Sequence, residues 1–347
     1  MGEAMRRAGP NRSGLLPELR RTLEALDAEG PAVRMDEVEP AVERVASEER
    51  IKLLWGELDP VDRVENLSFK SAGHAIEARL YRPKRAEGTV LFIHGGGWVV
   101  GSLDTHDGSV RVLANAIPAN VLSIGYRKAP EHPFPAAVHD VDAGLDWLLR
   151  DGAGLGLDTE RIIVCGDSAG GNLAAVLVRH ARDRSIALAG QVLIYPVTDC
   201  SMASASYRDF AAGFYLSAEA MAWFIRHYLG NANRAHPDAA PLQAVNLGGL
   251  APAFVATAAF DPLRDEGRAY AARLVQAGND VTYREIAGAV HGLWVMNTQT
   301  PAAKKLIGAA ADWIRARWGA KSQFGSPDGQ PQGRERTTAG VANAPTI

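Results

Sequence analysis

The chain has 347 residues, 47% apolar and 22% charged, with 37 Lys and Arg against 40 Asp and Glu for a formal net charge of −3. That balance is globular, long enough for a sizeable core, and it excludes the basic footprint of a nucleic-acid binder. No apolar run approaches the ~20 residues of a membrane span, and the arginines near the start precede no secretion-signal core, so neither is expected.

In chain order, helical spacing predicts helices over residues 15–30 and 36–55, with Leu19, Leu23 and Leu26 on one face of the first. Residues 62–70 and 76–82 alternate as strands do. From residue 88 an apolar strand, a loop and an amphipathic helix recur. Strands are expected at 89–94, 119–126, 161–166, 190–196, 254–260 and 281–286. Helices are expected at 106–117, 136–149, 169–183, 265–277 and 302–318. The second of these places Val138, Val141, Leu145 and Leu148 on one face. Strands this apolar, separated by helices, imply an α/β fold with a mostly parallel sheet covered on both faces. Residues 199–250 interrupt the rhythm with one helical stretch, 217–230, and read as an insertion that could lie over one sheet edge. The last residues, 320–347, are rich in Gly, Pro, Gln and Thr and are expected to be disordered.

Active sites in parallel sheets lie where strands end. Strand 89–94 runs into Gly95-Gly96-Gly97-Trp98, and strand 161–166 into Gly166-Asp167-Ser168-Ala169-Gly170. Strand 254–260 runs into Asp261-Pro262-Leu263-Arg264-Asp265-Glu266, and strand 281–286, through a short loop, into His291-Gly292. A serine becomes a nucleophile when an imidazole takes its proton, and the imidazole needs an acid to orient it. Gly-x-Ser-x-Gly spacing lets a strand and helix meet closely around a strained serine. A helix beginning at Ala169 aims its amides at developing negative charge, and the Gly95–Gly97 loop offers further unhindered N–H groups. Three carboxylates, Asp261, Asp265 and Glu266, compete for the role of acid. Asp261 is nearest the strand end, and the others stand where first-turn carboxylates pair with the helix dipole. The order serine, acid, histidine is that of an α/β-hydrolase.

HGGGW (94–98), YRKAPEHPFPAA (126–137), GDSAGGN (166–172), DPLRDEG (261–267) and the late HG (291–292) resemble the bacterial hormone-sensitive lipase family of esterases, over roughly residues 35–318. The resemblance implies an eight-stranded α/β-hydrolase core, 56–198 and 251–319, under a helical cap built from residues 1–55 and 199–250. It implies Ser168 as nucleophile, Asp261 as acid and His291 as base, with oxyanion N–H groups from Gly96, Gly97 and Ala169. It implies a carboxylesterase acting on a small-molecule ester without a cofactor, as a monomer or homodimer. A related amidase or natural-product deacetylase would use the same triad. A non-catalytic receptor on this fold would lack the histidine that stands here as His291. Two departures, Lys128 for a usual Leu and Leu293 for a common Phe, bear on the pocket wall.

Trp98, Phe214, Tyr215, Leu216 and Leu293 are the candidate substrate-binding residues. His94 reads as a brace for the glycine loop and Asp167 as a local support for the elbow. His132 lies in a proline-restricted turn, and His180 and His227 lie on helices, partly exposed. No His/Cys/Asp spacing suits zinc, so no metal is expected. Cys165 and Cys200 do not form a disulfide framework and fit a cytoplasmic setting.

Overall fold

The structure, a computed structural model, describes residues 10–28, 35–55, 57–296 and 300–319. The tail expected to be disordered, 320–347, lies outside these residues, as do the first nine of the N-terminal segment.

Two helices, α1 (Pro17–Ala28) and α2 (Pro40–Trp55), precede the antiparallel hairpin β1 (Arg63–Ser71) and β2 (His74–Arg82). The α/β series then runs β3 (Thr89–Ile93), α3 (Asp107–Ala116), β4 (Asn120–Ile124), α4 (Ala136–Asp151), β5 (Ile162–Asp167), α5 (Ala169–Asp183) and β6 (Gly190–Ile194). Between β6 and the next strand lie a one-turn helix, α6 (Ser206–Asp209), and α7 (Ala218–Leu229). The chain returns as β7 (Ala253–Phe260), α8 (Arg264–Gln276), β8 (Val281–Val290) and α9 (Pro301–Gly319). No helix among the described residues is long and apolar enough to cross a membrane.

The eight strands form one sheet in the order β1-β2-β4-β3-β5-β6-β7-β8, antiparallel at β1-β2-β4 and parallel from β4 to β8. All five residues of β3 are buried, and they alternate between two cores. Leu91 and Ile93 join Leu145, Leu173 and Leu177 under α4 and α5. Val90 and Phe92 join Leu113, Leu306 and Ile314 under α3 and α9. A strand covered on both faces has no polar position to give up, which is why the central strands read as unbroken apolar runs.

Two boundaries differ from the sequence reading by four residues, and the others by less. The helix expected from residue 36 begins at Pro40, after a short 3₁₀ turn at Met35–Glu37. Proline pre-sets helical φ at a first helical position and disfavours helix in the residue before it, so it marks a start. The strand expected to stop at 286 runs to Val290 without an intervening loop. Its small residues fit against the N-terminal segment: Gly288 adopts φ +71, accepts a hydrogen bond from the Leu16 amide at 2.9 Å, and leaves no room for a Cβ.

A buried ion pair ties the hairpin to the series. The Asp140 side chain on α4 is fully buried and accepts from the Arg127 amide (2.8 Å), the Arg127 guanidinium (2.7 Å) and Ser71 Oγ (2.5 Å). Removing the carboxylate takes the acceptor from the part-buried Arg127 guanidinium and from the buried Ser71 hydroxyl. Asp140→Ala should lower stability by about 1–3 kcal/mol, read as a shift of the urea midpoint against the unmodified protein.

Candidate active site

β5 ends at Asp167, and the next residue, Ser168, takes φ 54, ψ −119 before α5 begins at Ala169. Few non-glycine residues hold such a backbone, and the neighbours show what allows it. A Cβ on Gly166 would come within 2.4 Å of the Gly170 carbonyl oxygen. One on Gly170 would come within 2.1 Å of the Ile93 carbonyl oxygen. The glycines are therefore clearance for a strand, a turn and a helix packed against β3.

Ser168 Oγ lies 2.9 Å from His291 Nε2, and His291 Nδ1 lies 2.8 Å from Asp261 Oδ2. The Asp261 side chain is fully buried, and its other oxygen accepts the Leu263 amide at 2.9 Å. A carboxylate at Nδ1 keeps the proton there and leaves Nε2 free to accept one from the serine. Tyr195 packs on the imidazole with ring centroids 4.5 Å apart, and its hydroxyl accepts the Trp294 amide at 2.9 Å.

The competing carboxylates are engaged elsewhere. Asp265 pairs with Arg264 and accepts the Ser206 amide. Glu266 is buried and accepts the Thr198 and Asp199 amides at 2.7 and 3.2 Å; burial pushes its carboxyl well above the usual range. Among the described residues, Asp261 is the carboxylate that meets His291.

Gly96 (φ +121) and Gly97 (φ +56) hold backbone shapes that suit glycine and border the same cavity as Ser168. Among the described residues nothing accepts the N–H groups of Gly96, Gly97 or Ala169. His94 stacks on Tyr126 at 4.4 Å, and its Nδ1 donates to the Gly95 carbonyl at 2.7 Å, while the Tyr126 hydroxyl donates to the His94 carbonyl. Full burial depresses the His94 pKa well below the ordinary histidine value. Asp167 does more than support its own turn: its Oδ1 accepts the Gly95 amide at 3.0 Å and meets His106 Nε2 at 3.1 Å. It therefore ties the serine elbow to the glycine loop. No motif in the sequence singles out His106, which borders the cavity.

The cavity over Ser168 measures about 230 Å³. Tyr215 and Leu216 form part of its wall, the Tyr215 ring lying over Gly292. Three of the expected wall residues lie outside it. Trp98 is wholly buried, its indole stacked on Tyr228 with centroids 4.1 Å apart. Phe214 turns into a cluster with Phe210 and Phe260, and Leu293 is buried in the core under α9. In each case the large apolar side chain gains more by full burial than by facing a partly solvated cavity. Lys128 also lies away from this wall. The sequence reading placed both covering helices in the cap but named none of the wall residues they supply: Glu43, Ser47, Arg50 and Ile51 from α2, and Ala220, Met221 and Phe224 from α7.

A family model described as alpha/beta hydrolase fold matches residues 90–295. The carboxylic ester hydrolase LipN of Mycobacterium tuberculosis is 44% identical over 239 residues, 66% of this chain and 64% of that protein. The ethyl acetate hydrolase of Pseudomonas putida is 37% identical over 296 residues, 82% of this chain and 93% of that protein. Among solved structures, an ester-hydrolase from the metagenome of Lake Arreo, bound to a bipyridine phosphonate derivative, superposes with a TM-score of 0.84 at 40% identity, covering 88% of this chain and all of that one. A serine elbow on β5, an acid after β7 and a histidine after β8, with these matches over most of the sheet, place the chain in the alpha/beta hydrolase fold family.

Proposed function

We propose that the protein is a serine carboxylesterase that hydrolyses short- to medium-chain esters through an acyl-enzyme. The observation that carries this reading is the hydrogen-bonded chain from Asp261 through His291 to Ser168, opening beside the free amides of the glycine loop. The similarity to proteins named as carboxylic ester hydrolases and esterases supports it. HGGGW and GDSAGGN support placing it among bacterial hormone-sensitive lipase relatives. The helices of residues 35–55 and 199–250, which reach the cavity wall, are its cap. Two buried free cysteines, Cys165 and Cys200, accord with a cytoplasmic setting.

In the first half-reaction Ser168 Oγ bonds to the ester carbonyl carbon as its proton passes to His291 Nε2. The carbonyl oxygen takes the negative charge and accepts from the amides of Gly96, Gly97 and Ala169, each such donor being worth roughly 3–4 kcal/mol when removed. Asp261 holds the imidazolium through Nδ1–H. When the tetrahedral carbon collapses, the C–O bond to the alcohol breaks and His291 returns the proton to the departing oxygen. Water then adds to the acyl-enzyme with His291 again as base, and the acid leaves as Ser168 regains its proton. No step draws on a cofactor.

Ser168→Ala should lower kcat at least ~10³-fold while leaving the circular dichroism spectrum and thermal midpoint unchanged, since oxyanion binding alone sustains only residual catalysis. A cavity of about 230 Å³ is smaller than the ~300–1,000 Å³ of drug-sized ligand sites. Across p-nitrophenyl esters, kcat/KM should peak between about two and six acyl carbons and fall at least tenfold by about twelve, as expected of a confined pocket. A preference for long emulsified chains would overturn the short-chain reading.

A further inference from the structure

Helix α2 only partly follows the usual rule for a helix lying on a core. Towards its C-terminal end Leu54 is buried and Ile51 packs against the core, but Val42 and Val45 face outward, 63% and 61% exposed, while Glu43, Ser47 and Arg50 border the cavity above Ser168. Apolar burial does not account for the polar face turned to the cavity. The helix is held by Arg44, which donates to the Val99 carbonyl at 2.8 Å and the Ala129 carbonyl at 2.7 Å and pairs with Glu131. The clamp fixes a stripe of polar groups, spaced four and three residues apart, along one side of the cavity.

The chemistry of that stripe selects among ligands. Arg50 Nη2 donates to Glu43 Oε1 at 2.5 Å, so the pair is neutral as a unit. Among the described residues, the second Glu43 oxygen, the remaining Arg50 donors and Ser47 Oγ have no hydrogen-bond partner. Ser47 is 6% exposed and borders the cavity, so its hydroxyl is presented there. A ligand carboxylate drawn to Arg50 would lie against Glu43, and an ammonium drawn to Glu43 would lie against Arg50. A neutral hydroxyl both donates and accepts, and it satisfies both ends.

We propose that the Glu43–Ser47–Arg50 stripe is a recognition subsite for a neutral hydroxyl group, which makes hydroxylated short-chain esters the preferred substrates. This deepens the ester-hydrolase reading and rests on it. The hydroxyl can come from the acyl side, as in an ester of a hydroxy acid, or from the alcohol side, as in an acylated polyol.

The test uses two pairs in which a hydroxyl replaces a methyl group. Ethyl 3-hydroxybutanoate is compared with ethyl 3-methylbutanoate, and 2-hydroxyethyl butanoate with propyl butanoate. Each kcat/KM ratio is divided by the ratio of the hydroxide-catalysed rates, which removes intrinsic reactivity. The expected result is a corrected ratio of about ten in favour of the hydroxyl member in one pair, which identifies the side bound. Ser47→Ala and Arg50→Met should each carry that ratio toward one. A corrected ratio of one or less in both pairs, with the methyl members turned over, would overturn the proposal, as would a ratio that both substitutions leave in place. Turnover of no ester at all would overturn the ester-hydrolase reading itself and this inference with it.

Discussion

Ser168 holds a backbone conformation, φ 54 and ψ −119, that costs of order 1–3 kcal/mol and survives where its surroundings over-determine it. Its amide donates to the Ile194 carbonyl at 2.8 Å and its carbonyl accepts the Val197 amide, so the turn is sewn into the exit of β6. Gly170 lies directly under the end of β3, where a single added carbon has no space. The strain lifts Oγ clear of the sheet, and the tight packing brings the glycine loop beside it. Asp167 makes the second connection, holding the Gly95 amide from the residue before the serine. The proposed nucleophile and the amides proposed to hold the oxyanion are thus set by one turn and its immediate neighbours.

Sheet register supplies the rest. Phe260 of β7 is paired with Val290 of β8, so Asp261 and His291 leave the sheet side by side and meet at 2.8 Å. The irregularity in that pairing between Ala258 and Phe260 falls where both strands end. Parallel strands place these residues on the same edge as the elbow, and α2, α7 and the residues before α7 close over it. The proposed catalytic groups stand on the rigid layer, while the groups proposed to choose a substrate stand on the helices above. That division lets one chemistry serve different esters through changes in the covering segments alone.

What was legible in the sequence is what local chemistry dictates. The runs that became β3 and β5 are apolar throughout because both faces are covered, and Gly-x-Ser-x-Gly marks a close approach that nothing larger permits. What could not be read depends on where a side chain turns once its loop is folded. Trp98, Phe214 and Leu293 stand next to functional segments in the chain, yet each points into packed core. The α2 stripe was invisible for the opposite reason. Periodicity assumes that the apolar face is the inner one, and over the first turns of α2, where Val42 and Val45 lie outside, that assumption fails. Asp167 reaches 72 positions along the chain to the Gly95 amide, a contact that no single-sequence pattern encodes.

Ser168 is proposed to be a nucleophile activated by its partners rather than a serine in a glycine-rich turn. The direct measurement is reaction with a p-nitrophenyl phosphonate, following p-nitrophenolate release and locating the adduct by peptide mass mapping. One equivalent of release and one adduct on the peptide containing Ser168 are expected, with labelling slowed at least ~10³-fold in His291→Ala. Stoichiometric labelling of a different residue, or ester hydrolysis that continues with Ser168 unlabelled, would contradict it.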